Sequence, residues 1–209
     1  MKVIAINGSP RQKGNTWFAL KTVGEVLVSK GIGFEIIHIG NQNIHGCLAC
    51  TKCKENKDNL CSIRNDNFNN YLPKIKEADG LILGSPVYFS GIAGTMKCFL
   101  DRLFYVSGAN GNWMRHKVGA AVAAVRRTGG SATWNSLNYY FTISEMTVAS
   151  SNYWNIIHGL KEGEAEQDAE GVQIMQVLGA NMAWLLKSKQ ANAETAPPKN
   201  EKIWTHFVR

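Results

Sequence analysis

Short apolar runs alternate with amphipathic stretches along this chain. Residues 2–7 (KVIAIN) form a run rich in β-branched side chains, and Trp17, Phe18, Leu20, Val23 and Leu27 then recur at helical spacing. Residues 34–39 (FEIIHI), entered through Gly31 and Gly33, repeat the strand pattern. Residues 67–78 read as a helix in which Pro73 must begin a turn or break the run. Residues 80–84 (GLILG) are apolar without alternation, as expected of a central strand buried on both faces. Met96, Phe99, Leu100, Leu103 and Phe104 return to helical spacing. Residues 118–125 (VGAAVAAV) predict a further buried strand, 133–146 a helix and 153–157 a short last strand. Residues 168–189 predict a long helix with Val172, Met175, Leu178, Met182 and Leu185 on one face. The remainder, with Pro197-Pro198, reads as an extended tail.

Five strands joined by helical crossovers predict an α/β fold with a parallel sheet covered on both faces. Right-handed crossovers make it doubly wound, and loops suited to ligands after the first, third and fourth strands favour the order 2-1-3-4-5. Neither a repeat nor an internal linker divides the chain. Residues 1–190 are expected to form one domain, with 191–209 an extension packed on that domain or on a neighbouring subunit.

With 209 residues the chain can bury a full core. No apolar run reaches the roughly 18 residues of a membrane span, and the first strand begins at once with no cleavable signal pattern. A cytoplasmic protein is therefore expected. The formal charge of +7 has no long lysine or arginine block behind it, so nucleic-acid binding gains no support.

The first strand delivers Gly8-Ser9-Pro10-Arg11-Gln12-Lys13-Gly14-Asn15-Thr16 onto a helix start. Free backbone N–H groups and the helix dipole make such a junction a phosphate site. Ser9, Asn15 and Thr16 add donors, Arg11 adds a forked cation, and Gly14 lets the chain turn into the helix. No Gly-Lys-Ser/Thr closes the loop, which argues against nucleotide hydrolysis. The G-x-G-x-x-G dinucleotide pattern also fails.

GSPRxxGNT behind a strand resembles the phosphate loop of the flavodoxin-like NADPH-dependent FMN reductases. The second loop strengthens the resemblance, because GSPVYFSGIAGTMKCFLDRL is similar to that family's GSPVY…G…K.FLDR segment. The resemblance implies a flavodoxin-like fold. It also implies that Pro86, Val87, Tyr88, Phe89 and Ser90 line the flavin ring and ribityl chain, with Tyr88 or Phe89 against the ring. A flat apolar contact and backbone donors are what a flavin ring requires. The third loop, 126–130, resembles the family's segment on the pyrimidine side. There Gly129 and Gly130 permit close approach and Thr128 can donate. Arg126 and Arg127 can meet a phosphate of FMN or NADPH, or simply be solvated. Lys97, Asp101 and Arg102 read first as structural groups on a helix that mediates packing.

Four of the five cysteines crowd into Cys47-x2-Cys50-x2-Cys53-x7-Cys61. Two consecutive two-residue gaps are a spacing used for iron–sulfur clusters, and zinc sites more often pair C-x2-C with a distant second pair. A [4Fe–4S] cluster, zinc, a disulfide such as Cys50 with Cys61, and free thiols all remain compatible with the spacing. The motif resembles that of the iron–sulfur flavoproteins, a branch of the same family, over roughly residues 1–190. That resemblance implies electron transfer between cluster and FMN. Lys52, Lys54 and Lys57 would then offset thiolate charge. Cys98 stands apart as a small buried hydrophobe.

Together these readings predict an FMN-dependent NAD(P)H oxidoreductase acting on a quinone, flavin or similar small-molecule acceptor. The alternative is an iron–sulfur flavoprotein electron carrier fed by a ferredoxin-like partner. The flavin carries the chemistry, so no dedicated catalytic side chain is expected. Apolar residues on 94–104, 134–141 and the tail (Trp204, Phe207) predict a homodimer or homotetramer.

Overall fold

The computed structural model describes residues 1–205 and residue 207. Trp204 and Phe207 thus lie among the described residues. β1 (Lys2–Asn7), β2 (Gly33–His38), β3 (Gly80–Tyr88) and β5 (Val118–Val125) form the body of a parallel sheet in the order β2-β1-β3-β5. The fifth position is shared. β6 (Thr147–Val148) pairs with the start of β5 and β7 (Ile156–His158) with its end. The sheet order 2-1-3-4-5 holds, with the last strand split into two short pieces. The predicted last strand, 153–157, overlaps only β7.

Alternation along β1 divides the core in two. Val3 and Ala5 face α1 (Asn15–Ser29) and α6 (Ala169–Ala191), with Leu20, Val23, Leu27, Met175, Leu178 and Met182 packed beneath them. Ile4 and Ile6 face the other layer, built from α3 (Phe68–Glu77), α4 (Gly94–Ala109) and α5 (Gly130–Ile143). All eight residues of β5 are buried, as a strand covered by helices on both faces must be.

Three sequence expectations change. Pro73 lies inside α3 and does not end it. It is the sixth residue of a ten-residue helix, so it forfeits one hydrogen bond, while Phe68, Leu72 and Ile75 anchor the helix to the core. α5 starts at Gly130, three residues before the predicted start at 133. The apolar side of α4 is not a free surface: Met96, Phe99, Leu100 and Leu103 are fully buried within this chain. Exposed apolar side chains stand elsewhere, at Tyr139, Ile143, Trp184 and the tail residues Ile203, Trp204 and Phe207. The tail is tied down at one stretch, where Arg115 donates to the carbonyls of Pro197 (2.9 Å) and Pro198 (3.0 Å). No helix among the described residues is long and apolar enough to cross a membrane.

Asp168 caps α6, accepting from the Gly171 amide (3.0 Å) and from the His158 amide (2.7 Å). It thereby pins β7 to the helix. Burial pushes its carboxyl up, but these bonds hold it below the ordinary aspartate value. A lowered folded value stabilises above the unfolded pKa of ~3.9 and loses that stabilisation as pH falls through the lower folded value. Asp168→Ala is expected to cost about 1–2 kcal/mol at neutral pH. In urea titrations the gap from the parent should shrink as pH drops below about 4.

Candidate functional site

The loop after β1 is braced from within. Asn7 Oδ1 accepts from the Ser9 amide (3.0 Å), Asn7 Nδ2 donates to Gln12 O (3.1 Å), and Ser9 Oγ accepts from the Arg11 amide (3.2 Å). β2 braces it from the side. His38 Nε2 meets Ser9 O at 2.7 Å. Gly40 passes so close that a Cβ there would stand 2.1 Å from Ser9 O. Ser9, Asn15 and Thr16 are buried, whereas Arg11 is exposed.

α1 begins behind Gly14 with no side-chain cap and no acidic residue in its first turn. Among the described residues, the amides of Asn15, Thr16 and Trp17 have no protein acceptor. Unpaired donors at a helix start, with the positive end of the dipole behind them, favour an anion. A fourth loop, which the sequence pattern did not single out, closes on this one. Arg11 Nη1 donates to Leu160 O (3.1 Å), and the Ala165 amide donates to Asn15 Oδ1 (3.3 Å). The Asn15 side chain is thus partly committed to holding the loops together, its Nδ2 and its backbone amide remaining as donors.

The second loop is a hairpin. β3 pairs antiparallel with β4 (Gly91–Ile92), Val87 opposite Ile92 and Tyr88 opposite Gly91. That leaves Phe89 and Ser90 as the two turn residues, at φ +50° and +58°. A primed two-residue turn demands positive φ at both positions and normally takes Asn or Gly. Two ordinary side chains there are strained, by about 1–3 kcal/mol each. The Phe89 ring is fully exposed and Tyr88 half exposed. Pro86 and Val87 are half-buried at the end of the strand.

The third loop reaches the second. Gly129 sits at φ +88°, and a Cβ there would lie 2.8 Å from Ser90 Cα and 2.9 Å from Val87 Cγ1. Arg126, Arg127 and Thr128 are exposed beside it, and Gly130 is buried at the start of α5. Arg127, Thr128, Gly129 and Gly130 also border an open cleft of about 380 Å3, completed by Tyr153, Trp154, His158 and Asp168. Tyr153 and Trp154 pack ring to ring at 4.9 Å. The sequence pattern placed both in the last strand, whereas they stand exposed on the loop between β6 and β7.

The four clustered cysteines converge. Cys47, Cys50, Cys53 and Cys61 all line one small pocket against α4, with Arg102, Tyr105 and Val106 behind them. The turn that gathers them is tightly wound. Ala49, Thr51, Lys57 and Asn59 all have positive φ, and the short helix α2 (Lys52–Asn56) carries Cys53 inward. Asn110 fastens the loop, donating to Cys53 O (3.3 Å) and accepting from the Asn59 amide (3.0 Å). Burial pushes the Cys53 thiol up, and its neighbours Cys61, Cys47 and Cys50 add to the push. The exposed Cys50 thiol is lowered, first by its contact with Ser62 Oγ at 3.2 Å and then by the Lys52 amide.

All five cysteines are free thiols. Among the described residues no group of three or more His, Cys, Asp or Glu side chains stands in an arrangement that could hold a metal ion. The thiols share a pocket without standing at ligand distance. Its volume of about 20 Å3 is room for little more than a water molecule. As chemistry the donor set suits a thiolate-ligated group. Cys98, expected to be buried, is half-buried, its sulfur 3.7 Å from where a Cβ on Gly46 would stand.

Of the lysines the sequence put forward, Lys52 lowers the Cys50 thiol, and all three are also engaged elsewhere. Lys57 donates to Ala109 O (3.1 Å), Lys54 lies over the Tyr105 ring (5.2 Å to its centroid), and Lys52 pairs with Glu55 (3.4 Å). The cation that borders the pocket is Arg102, on the middle of α4.

Comparison with known proteins then places the chain. The profile of the NADPH-dependent FMN reductases matches residues 1–161. The chain belongs to this flavodoxin-like, FMN-binding family. It is 36% identical over 194 residues to an iron-sulfur flavoprotein of Methanocaldococcus jannaschii, a match covering 90% of this chain and 98% of that protein. An iron-sulfur flavoprotein of Methanosarcina thermophila is 28% identical over 196 residues, covering 93% of this chain and 100% of its own. Among solved structures, RosB with a bound formylriboflavin phosphate intermediate aligns at a TM-score of 0.70 and 15% identity, over 100% of this chain and 91% of that one. At that identity the likeness is one of fold.

The contact between the second and third loops is testable within this family member. Gly129→Ala forces a Cβ into Ser90 at a left-handed backbone position and is expected to cost about 1–3 kcal/mol. The readout is the urea midpoint.

Proposed function

We propose that this protein is an FMN-dependent oxidoreductase that holds the flavin phosphate at the start of α1. The unpaired amides of Asn15, Thr16 and Trp17, on a loop with no acidic group in the first helical turn, carry this reading. Ser9, Arg11, Gly14, Asn15 and Thr16 surround the phosphate. Pro86 to Ser90 and Arg127 to Gly130 border the ring. The exposed Tyr88 and Phe89 supply flat apolar surface, and the glycines let backbone donors approach closely. When bound, FMN takes up hydride and passes electrons on singly or in pairs. The protein's part is to position it, keep one face open and offer room for a small acceptor, for which the cleft at Tyr153 and Trp154 is suited. In this reading NADH or NADPH is the reductant and a quinone or flavin the acceptor.

A second reading is favoured by a specific observation, the convergence of Cys47, Cys50, Cys53 and Cys61 on one pocket. The relatives just described are named iron-sulfur flavoproteins. In this reading Cys47, Cys50, Cys53 and Cys61 would hold an iron–sulfur cluster, which would supply single-electron transfer between a ferredoxin-like partner and the flavin. Cys53, buried on α2, fixes the inner ligand, and Cys47 and Cys50 close the outer side. From Arg102 to the first residue of α4, beside the hairpin, is eight residues, about 12 Å along the helix. The thiol pocket and the proposed ring site thus abut the middle and the start of one helix.

Protein purified without oxygen is expected to carry one FMN per chain. Thr16→Val, which removes a hydroxyl without changing shape, should weaken FMN binding about tenfold, the effect of losing one charge-assisted hydrogen bond; fluorescence titration measures it. Absence of FMN from both purified and reconstituted protein would overturn the first proposal. Iron and sulfide analysis of the same sample decides the second. About four of each per chain, with a broad shoulder beyond the flavin bands, is the expected result. A purely yellow protein without iron returns the function to nicotinamide-driven flavin chemistry.

A further inference from the structure

The third loop has two sides. On one, Gly129 approaches the hairpin at Ser90 and Val87. On the other, Arg127, Thr128 and Ser131 line the open cleft of about 380 Å3, a volume within the range of small-molecule sites. Val125, Ile156 and Ile174 give the cleft an apolar lining. Tyr153 and Trp154 border it as well, 59% and 51% exposed, with their ring centroids 4.9 Å apart. Two large rings held half open beside apolar side chains offer flat surface to another planar ring.

Charge is not spread evenly over this cleft. Val125 pairs with His158 across neighbouring strands, so Arg127, two residues further on, leaves the sheet at the same end. Arg127 is exposed and forms no ion pair among the described residues. α5 starts three residues later, with no side-chain cap and no acidic residue in its first turn. Among the described residues, the amides of Gly130, Ser131 and Ala132 have no protein acceptor. A guanidinium beside unpaired amides at the positive end of a helix dipole favours an anionic group. The acidic side chains on the cleft belong to the start of α6, and both are offset there. Asp168 accepts from the Gly171 and His158 amides and meets His158 Nδ1 at 3.2 Å. Glu170 lies in the first turn of α6, where the dipole favours a negative charge.

We propose that this cleft selects the electron acceptor, and that the acceptor it takes is a planar aromatic acid: the ring system lies against Trp154 and Tyr153, and a carboxylate or sulfonate on that ring is held by Arg127 and the first amides of α5. The inference rests on the flavin oxidoreductase reading above and adds to it the class of molecule reduced. An uncharged planar ring keeps the apolar contact but leaves Arg127 and the amides without an acceptor. A small inorganic anion keeps the charge contact but leaves the aromatic pair uncovered. Only a ligand that carries both features uses the whole cleft.

The test is binding rather than turnover. 2-Naphthoate carries the ring and the carboxylate, is not a flavin oxidant and does not attack thiols, and 2-naphthamide is its uncharged counterpart. Each is titrated calorimetrically into protein whose FMN content has been measured. Naphthoate should bind at least about tenfold more tightly than naphthamide, the effect of one hydrogen-bonded ion pair. Arg127→Gln should abolish that preference. Trp154→Ala should weaken both ligands to a similar degree, and Trp154→Phe should restore them. FMN-loaded wild type that binds neither ligand, or binds both equally, overturns the proposal and leaves the flavin reading standing. So does a preference that survives Arg127→Gln. Naphthoate that binds FMN-free protein and is expelled by FMN assigns the cleft to the flavin and likewise overturns the proposal. Wild type that holds no FMN after reconstitution overturns the flavin reading itself, and the acceptor role with it. If a variant loses FMN, the comparison of the two ligands on wild type still decides the matter.

Discussion

Parallel pairing of β1, β3 and β5 is the constraint from which the candidate site follows. Strands that run the same way end at the same edge, so the loops after all three leave the sheet together. A parallel sheet must also be covered on both faces, because its crossovers are helices. The chain meets that demand with two apolar layers of different make-up, α1 and α6 on one side and α3, α4 and α5 on the other. α1 starts where the first loop ends, so covering the sheet and presenting free amides at its edge come from one and the same element.

The edge is then narrowed by contacts that have little to do with the core. His38 and the close passage of Gly40 hold the first loop from the side of β2. Gly129 lets the third loop touch the second at Ser90. Strain is kept where these loops meet, at Phe89 and Ser90 in the hairpin turn. Rigid strands on either side tolerate such backbone positions, and the result is an aromatic ring held out from the surface.

α4 links the two candidate centres. Its first turn follows the hairpin, its apolar side fills one core layer, and its middle carries Arg102, paired with Asp66 behind the cysteine loop. Desolvating an arginine and an aspartate together is expensive, and an ion pair in the interior is seldom favoured over well-packed apolar groups on stability alone. Here the pair also orders the carbonyls of His45 and Ile63 on either side of the cysteine loop. It is thus part of what makes the thiols converge.

The local pattern of the chain was enough for most strands of the sheet, their order and the strand–loop–helix junction after β1, because periodicity and such a junction are encoded by residues close together. It was also enough to gather the four cysteines as one motif, since their spacing is short. Local pattern misjudged Pro73, which a docked apolar face retains inside a helix, and the apolar side of α4, which the fold buries. It gave no sign of the split fifth strand, whose pieces are two and three residues long and exist only by pairing with β5. His38, Gly40, Leu160 and Asp66 were invisible as site residues for a similar reason. Each acts on a loop through a contact up to 149 positions away, and no pattern in sequence records such a distance. The amino-acid sequence by itself determined which side chains are at hand for the candidate site. Only the tertiary structure decided that the Arg102 side chain is buried behind the cysteine loop and paired with Asp66, because burial and orientation are properties of the packed helix rather than of the residues that compose it.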